Sequence, residues 1–229
     1  MPRFIESDFD LLRKHLIANK LVTEEWLAKN LSSLRIIHKI VYSFLVWDSC
    51  IRKRNNCGKV FLHELRSDAI QSIPIVLGGY KKATALLLRG LVENTLRYIY
   101  YSDHPVEYTW LDSGHYMQIK DLIDYAKKDP RFASSERARE SLDELWSTYT
   151  DISKYVHAQA TKHMELVRAM EEIRFDHTFF KWYLQKLKKF GSLANLLLIM
   201  FNHDRYASFD PEFKRLLVRT VNKGDRHLV

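Results

Sequence analysis

Lys81-Lys82-Ala83-Thr84-Ala85-Leu86-Leu87-Leu88-Arg89-Gly90-Leu91-Val92-Glu93-Asn94-Thr95-Leu96-Arg97-Tyr98-Ile99-Tyr100-Tyr101 is the stretch whose reading decides the fold. At about 100° per residue, Leu87, Leu88, Leu91, Val92, Leu96, Tyr98 and Ile99 cover about half of a helical wheel. Arg89, Glu93 and Arg97 stack on the other half at i, i+4 and i+8. Leu86 and Tyr100 intrude on this charged face, so a neighbouring helix is expected to cover part of it. Asp103-His104-Pro105 ends the helix, since proline lacks the N–H and clashes with the preceding turn. Gly78-Gly79 just ahead of it is the clearest hinge in the chain.

Working outward, the same periodicity recurs. Val60 to Leu77 reads as a helix that Pro74 bends or ends. Before it, Thr23-Glu24-Glu25-Trp26 is a capped helix start, and Leu27, Leu31, Leu34, Ile37, Val41, Phe44 and Leu45 carry the helix to about Arg54. Asn55-Asn56-Cys57-Gly58 then breaks it. Ser7 or Asp8 caps a short first helix through Lys20. On the other side, Val106 to Lys128 is mixed, with a short helix from about His115. Pro130 breaks the chain again, and Ser134 or Ser135 caps a helix running to about His157. Phe175 to Phe201 is the last long helix. Its stripe of Phe179, Phe180, Tyr183, Leu187, Phe190, Ala194, Leu197, Leu198 and Phe201 faces either the core or a dimer partner. Pro211 precedes a short basic helix.

The composition agrees with these helices. Of 229 residues, 46% are hydrophobic, and only 7 are Gly and 5 Pro, too few turn residues for a sheet-rich chain of this length. No β-branched alternating run offers a strand. The expectation is an all-α, single-domain bundle of four to five long helices over 23–203. An N-terminal helix (1–22) precedes it and a basic C-terminal appendage (204–229) follows. Charged residues reach 28%, which argues against disorder. The formal net charge of +8 and pI of 9.3 fit RNA, DNA, an anionic surface or an acidic protein as partner. Neither a signal peptide nor an apolar run of the ~18 residues needed to span a membrane is present, so a cytoplasmic chain without membrane contact is expected.

Two constellations can carry chemistry. In the first, Glu93 pairs with Arg89, either as an ordinary helix-surface pair or as a device that holds the arginine rigid and aims its planar guanidinium at a phosphate. The second runs from Trp146 to Ala158. Leu142, Leu145, Tyr149, Ile152 and Val156 make its buried stripe, and His157 lies at the edge, above Ser153 and Trp146. A histidine there is either a helix-end residue favoured by the dipole or a proton carrier near neutral pH. Cys50, Cys57 and His63 lack a zinc spacing, and no Walker loop, GxGxxG or GxSxG occurs. No cofactor and no metal is expected.

Together, Ala83, Leu87, Leu88, Arg89, Leu91 and Glu93, followed by Tyr149, Ser153 and His157, resemble the HEPN superfamily. These are helical-bundle domains of prokaryotic toxin and antiviral defence systems. The resemblance covers about residues 25–203. It implies a metal-independent endoribonuclease, or an inactive relative that serves as a subunit for a larger protein or ribonucleoprotein partner. RNA, a protein of the same system and a second copy of the chain in a homodimer are the implied partners. In active members an Arg and a His four to six residues apart meet their counterparts across the dimer. The His moves protons at the 2′-hydroxyl and the leaving oxygen, and the Arg stabilises phosphate charge. Counting back from His157, that motif would place the Arg at 150–152, where this chain has Thr150, Asp151 and Ile152. Only Arg97 and His104 meet the spacing literally. The expected catalytic set is Arg89, Glu93 and His157, with Arg97 and His104 as the alternative.

Overall fold

The computed structural model describes residues 3–51 and 56–229. Eleven α-helices and four 3-10 turns account for the regular structure, with no strand among the described residues. The helices are α1 (Arg3–Ala18), α2 (Glu24–Cys50), α3 (Lys59–Leu77), α4 (Lys81–Tyr101), α5 (Pro105–Thr109), α6 (Ile119–Lys128), α7 (Pro130–Ala133), α8 (Glu136–Val156), α9 (His177–Phe201), α10 (His203–Ala207) and α11 (Pro211–Thr220). Eight of them reach ten residues or more, against the four to five long helices expected. Five of those eight span 19 residues or more.

Local chemistry places most of the boundaries. Thr23 Oγ1 accepts from Trp26 N, Ser135 Oγ from Ala138 N, and Asp176 Oδ1 from Phe179 N, so each satisfies an orphan donor of a first turn. The first helix differs from its expected start. It begins at Arg3 and runs through Ser7 and Asp8, because Ile5 and Phe9 are buried and draw the preceding residues into the helix. Pro74 does not end α3, which continues to Leu77. Only one backbone donor is lost there, and Ile73, Val76 and Leu77 are all buried around it. Gly79, at φ +86°, makes the turn into α4, and a Cβ there would sit 2.2 Å from the Arg174 carbonyl oxygen. The expected end of the second helix near Arg54 falls in residues 52–55, outside the described residues. The last described helical residue is Cys50.

α4 is central and packs against α3, α6, α8 and α9. The aromatic stripe of α9 faces this core: Tyr183, Leu187, Phe190, Ala194, Leu197 and Leu198 are buried within the chain. Several polar groups in the interior are paired. Asn195 accepts from Trp47 Nε1 at 2.8 Å and donates to Ser43 Oγ at 2.9 Å, and Ser72 and Tyr183 share a hydrogen bond of 2.8 Å. Both ends of the chain enter the same core, through Ile5, Phe9 and Leu16 of α1 and through Leu216, Leu217 and Val221. Arg137 of α8 holds Asp225 by two parallel bonds of 2.8 and 2.9 Å, fixing the last turn to the bundle. Among the described residues, no helix is long and apolar enough to cross a membrane.

Candidate functional site

α4 and α8 pack side by side, and their charged and polar residues meet at the exposed edge of that contact. Arg89 Nε donates to Glu93 Oε1 at 2.8 Å. Arg97 Nη2 approaches the other carboxylate oxygen at 3.4 Å, so Glu93 sits between two arginines one turn away on either side. From α8, the Tyr149 hydroxyl donates to Glu93 Oε1 at 3.2 Å, and the Arg89 guanidinium lies 5.0 Å from the centre of the Tyr149 ring. Trp146 stacks on the same tyrosine ring, with centroids 5.6 Å apart. The Glu93 and Arg89 side chains keep 17% and 24% of their surface, so solvent screens the pair only partly. The cover comes from Tyr149. Leu86, one of the residues expected to flank the pair, is exposed.

His157 is the C-cap of α8, and its backbone N–H bonds to Ser153 O. Arg89 Nη1 lies 2.9 Å from His157 Nε2. A guanidinium can only donate, so this contact requires a lone pair on Nε2 and the ring proton on Nδ1. The chain therefore brings Arg89, Glu93 and His157 into one linked cluster, from segments 68 residues apart. Burial, and next the Glu93 charge, push the Tyr149 phenol above its ordinary range and keep it a donor. Ser153 Oγ, one turn before His157, is buried with no hydrogen-bond partner among the described residues.

Arg97 and His104 are not brought together in this way. His104 Nδ1 donates to Tyr100 O at 2.8 Å, its ring stacks on Tyr100 at 4.0 Å, and Tyr125 packs edge-to-face beside the stack, 4.9 Å from each ring. Arg97 belongs to the Glu93 cluster instead. Where an arginine would stand in the spacing motif, Asp151 binds Lys154 and Lys186, which hold its carboxyl at about 2. Among the described residues, no group of three or more His, Cys, Asp and Glu side chains is arranged to hold a metal.

Sequence reasoning passed over Asp68 of α3. This buried carboxylate accepts from Asn94 Nδ2 at 3.1 Å and lies against Gly90, where a Cβ would come within 2.4 Å of Asp68 Oδ2. A glycine inside an otherwise regular helix was its one signal. Burial first, then the negative charge of Glu64 and of Glu93, raise this carboxyl from 3.8 to about 6. A folded-state value above the unfolded one means that the folded protein binds the extra proton. Stability from Asp68 is therefore full below about pH 4 and is lost as the pH rises through about 6. Asp68→Asn is expected to stabilise the protein by about 1–2 kcal/mol at pH 7.5 and by much less at pH 4.5. Urea unfolding at the two pH values checks this, and an equal gain at both would refute it.

Compared with known proteins, the chain matches no family model, no curated sequence and no solved structure.

Proposed function

We propose that this chain is a HEPN-like protein of a prokaryotic defence or toxin system that cleaves RNA without a metal, with Arg89 and His157 as the reacting pair. It works as a homodimer in the cytoplasm. The observation that carries the reading is the 2.9 Å contact between the Arg89 guanidinium and His157 Nε2, from two helices, at an accessible edge. A phosphodiester entering this edge competes with the imidazole for the guanidinium. Arg89 transfers its donors to the non-bridging oxygens, and the freed Nε2 lone pair takes the 2′-hydroxyl proton. O2′ then attacks the adjacent phosphorus, the bond to O5′ breaks, and the leaving oxygen takes a proton from the imidazolium. The product carries a 2′,3′-cyclic phosphate. Glu93 and Tyr149 are positioning residues, since they fix Arg89 and touch no reacting atom.

A second reading has its own support. Arg89 is satisfied by Glu93, His157 and the Tyr149 ring together, and Asp151 stands in the region where the motif would place arginine. A non-catalytic HEPN-like subunit, using this cluster as a clamp between α4 and α8 while it docks on a protein or ribonucleoprotein partner, fits those facts. Incubating the protein with bulk RNA in EDTA separates the two readings. Fragments ending in 2′,3′-cyclic phosphate are the expected result. Intact RNA, with the protein alone and with its natural partner, would leave the subunit reading standing.

A further inference from the structure

Arg35, Lys39, Arg215 and Arg219 line a cleft of about 490 Å³ between α2 and α11, with Glu6 and Glu212 beside them. Glu6 is engaged, because both its oxygens accept from Arg35 Nη1 at 2.6 and 2.7 Å. Among the described residues, Lys39 Nζ donates only to the Arg219 carbonyl oxygen, at 3.0 Å. Arg226, in the 3-10 turn Lys223–Leu228 that follows α11, donates to the carbonyls of Val221 and Arg219. Among the described residues, Lys39, Arg215, Arg219 and Arg226 have no carboxylate oxygen within 4.0 Å. The carbonyls at the end of α11 orient two of these cations but carry only partial charge. The cluster thus keeps a positive charge that folding alone does not need.

We propose that this α2–α11 cleft binds consecutive phosphates of a nucleic-acid strand, at a site separate from the Arg89–His157 edge. Three observations carry it. Three cations without a carboxylate partner among the described residues, Lys39, Arg215 and Arg219, line the cleft from α2 and α11, with Arg226 of the terminal turn close by, and outnumber the one lining carboxylate, Glu212, that Arg35 does not engage. Arg215 and Arg219 are exposed and follow one another at i, i+4, about 6 Å apart along the helix, a spacing suited to neighbouring phosphates of an extended strand. Burial, and then the charges of Arg219 and Arg226, hold the Lys39 ammonium below the usual lysine range. An anion in the cleft relieves that repulsion. The inference rests on this charge arrangement and stands whether or not the chain cleaves RNA.

The test measures binding of a labelled 2′-O-methyl RNA strand, which 2′-hydroxyl chemistry cannot cut, over a series of salt concentrations. Arg215→Gln/Arg219→Gln is expected to weaken binding about tenfold and to lower the slope of log K against log salt by about 1.4, or 0.7 per lost contact. Lys181→Gln/Lys188→Gln, which removes the same charge from exposed positions of α9, is expected to change affinity less than threefold, roughly the effect of a general field. Lys39→Gln is expected to weaken binding as well, and native melting curves establish that each variant folds. Equal losses in the α9 and α11 variants, or no loss in either, would overturn the proposal. So would competition by inorganic phosphate as effective as the unlabelled strand, or an α11 effect seen only with vesicles of anionic lipid.

Discussion

If the chain cleaves RNA as proposed, His157→Ala is expected to lower the rate of cleavage in EDTA by at least about a hundredfold, the usual scale of a lost general acid–base group, and to leave RNA affinity within about twofold. Nε2 of His157 faces Arg89 Nη1 at 2.9 Å, so removing the ring removes the proposed proton acceptor. A neutral imidazole adds little to phosphate attraction, hence the small change in affinity. Arg89→Ala is expected to act on both quantities, since in the proposed reaction the guanidinium would bind the phosphate in the ground state and more tightly as charge develops. The split is the diagnostic: rate alone for His157, rate and affinity for Arg89. Cleavage that survives in His157→Ala and disappears in His104→Ala would move the reaction to the aromatic pocket of Tyr100 and Tyr125.

Glu93→Ala carries the second large effect, on stability and on cleavage together. Its carboxylate is shared by Arg89, Arg97 and the Tyr149 hydroxyl. Without it, two guanidiniums one turn to either side repel each other across a half-buried space, and a phenol loses its acceptor. A fully buried pair would cost more, but the remaining solvent exposure limits the loss to about 2–3 kcal/mol. That corresponds to a fall in Tm of about 4–12 °C for a chain of this size. Glu93→Gln keeps an acceptor for Tyr149 and Arg89 and should recover part of the loss. Melting within error of wild type would show that the three partners are held by packing alone. For cleavage, a fall in rate larger than the fall in affinity, partly restored by Glu93→Gln, is expected of a residue that positions Arg89.

The helices were legible because their apolar positions recur at helical spacing and their starts carry Thr23, Ser135 and similar caps. The central helix from Lys81 to Tyr101 was read to the residue, since Gly78-Gly79 and Asp103-His104-Pro105 punctuate it on both sides. Reading failed where tertiary burial overrides a local signal. Ser7 and Asp8 look like caps, yet Ile5 and Phe9 are buried and extend α1 beyond them. Pro74 looks like a stop, yet the apolar residues around it keep α3 going. In the site, spacing alone identified Glu93 as the partner of Arg89. The position of His157 beside Arg89 depends on how α8 lies against α4, which a one-dimensional pattern does not encode. The α2–α11 cleft escaped for the same reason, since its cations are spread from Arg35 to Arg226.

One turn of backbone sets the tempo of the cluster. Ala158 follows His157 with φ +48°, and Gln159 N bonds back to Lys154 O, which closes α8 in the manner of a Schellman turn. That turn normally places glycine at the left-handed position, and alanine there costs roughly 1 kcal/mol. The final turn of α8 is therefore its weakest, and it opens without disturbing the buried Leu142, Leu145 and Ile152 behind it. Each such opening is expected to part the imidazole from the guanidinium. In hydrogen-exchange terms, the His157 and Gln159 amides trade protons with solvent through local fraying, while the Ile152 amide waits for a much larger unfolding event. On the proposed reading, the population of frayed ends, more than the stability of the bundle, is expected to govern how often the Arg89–His157 contact opens.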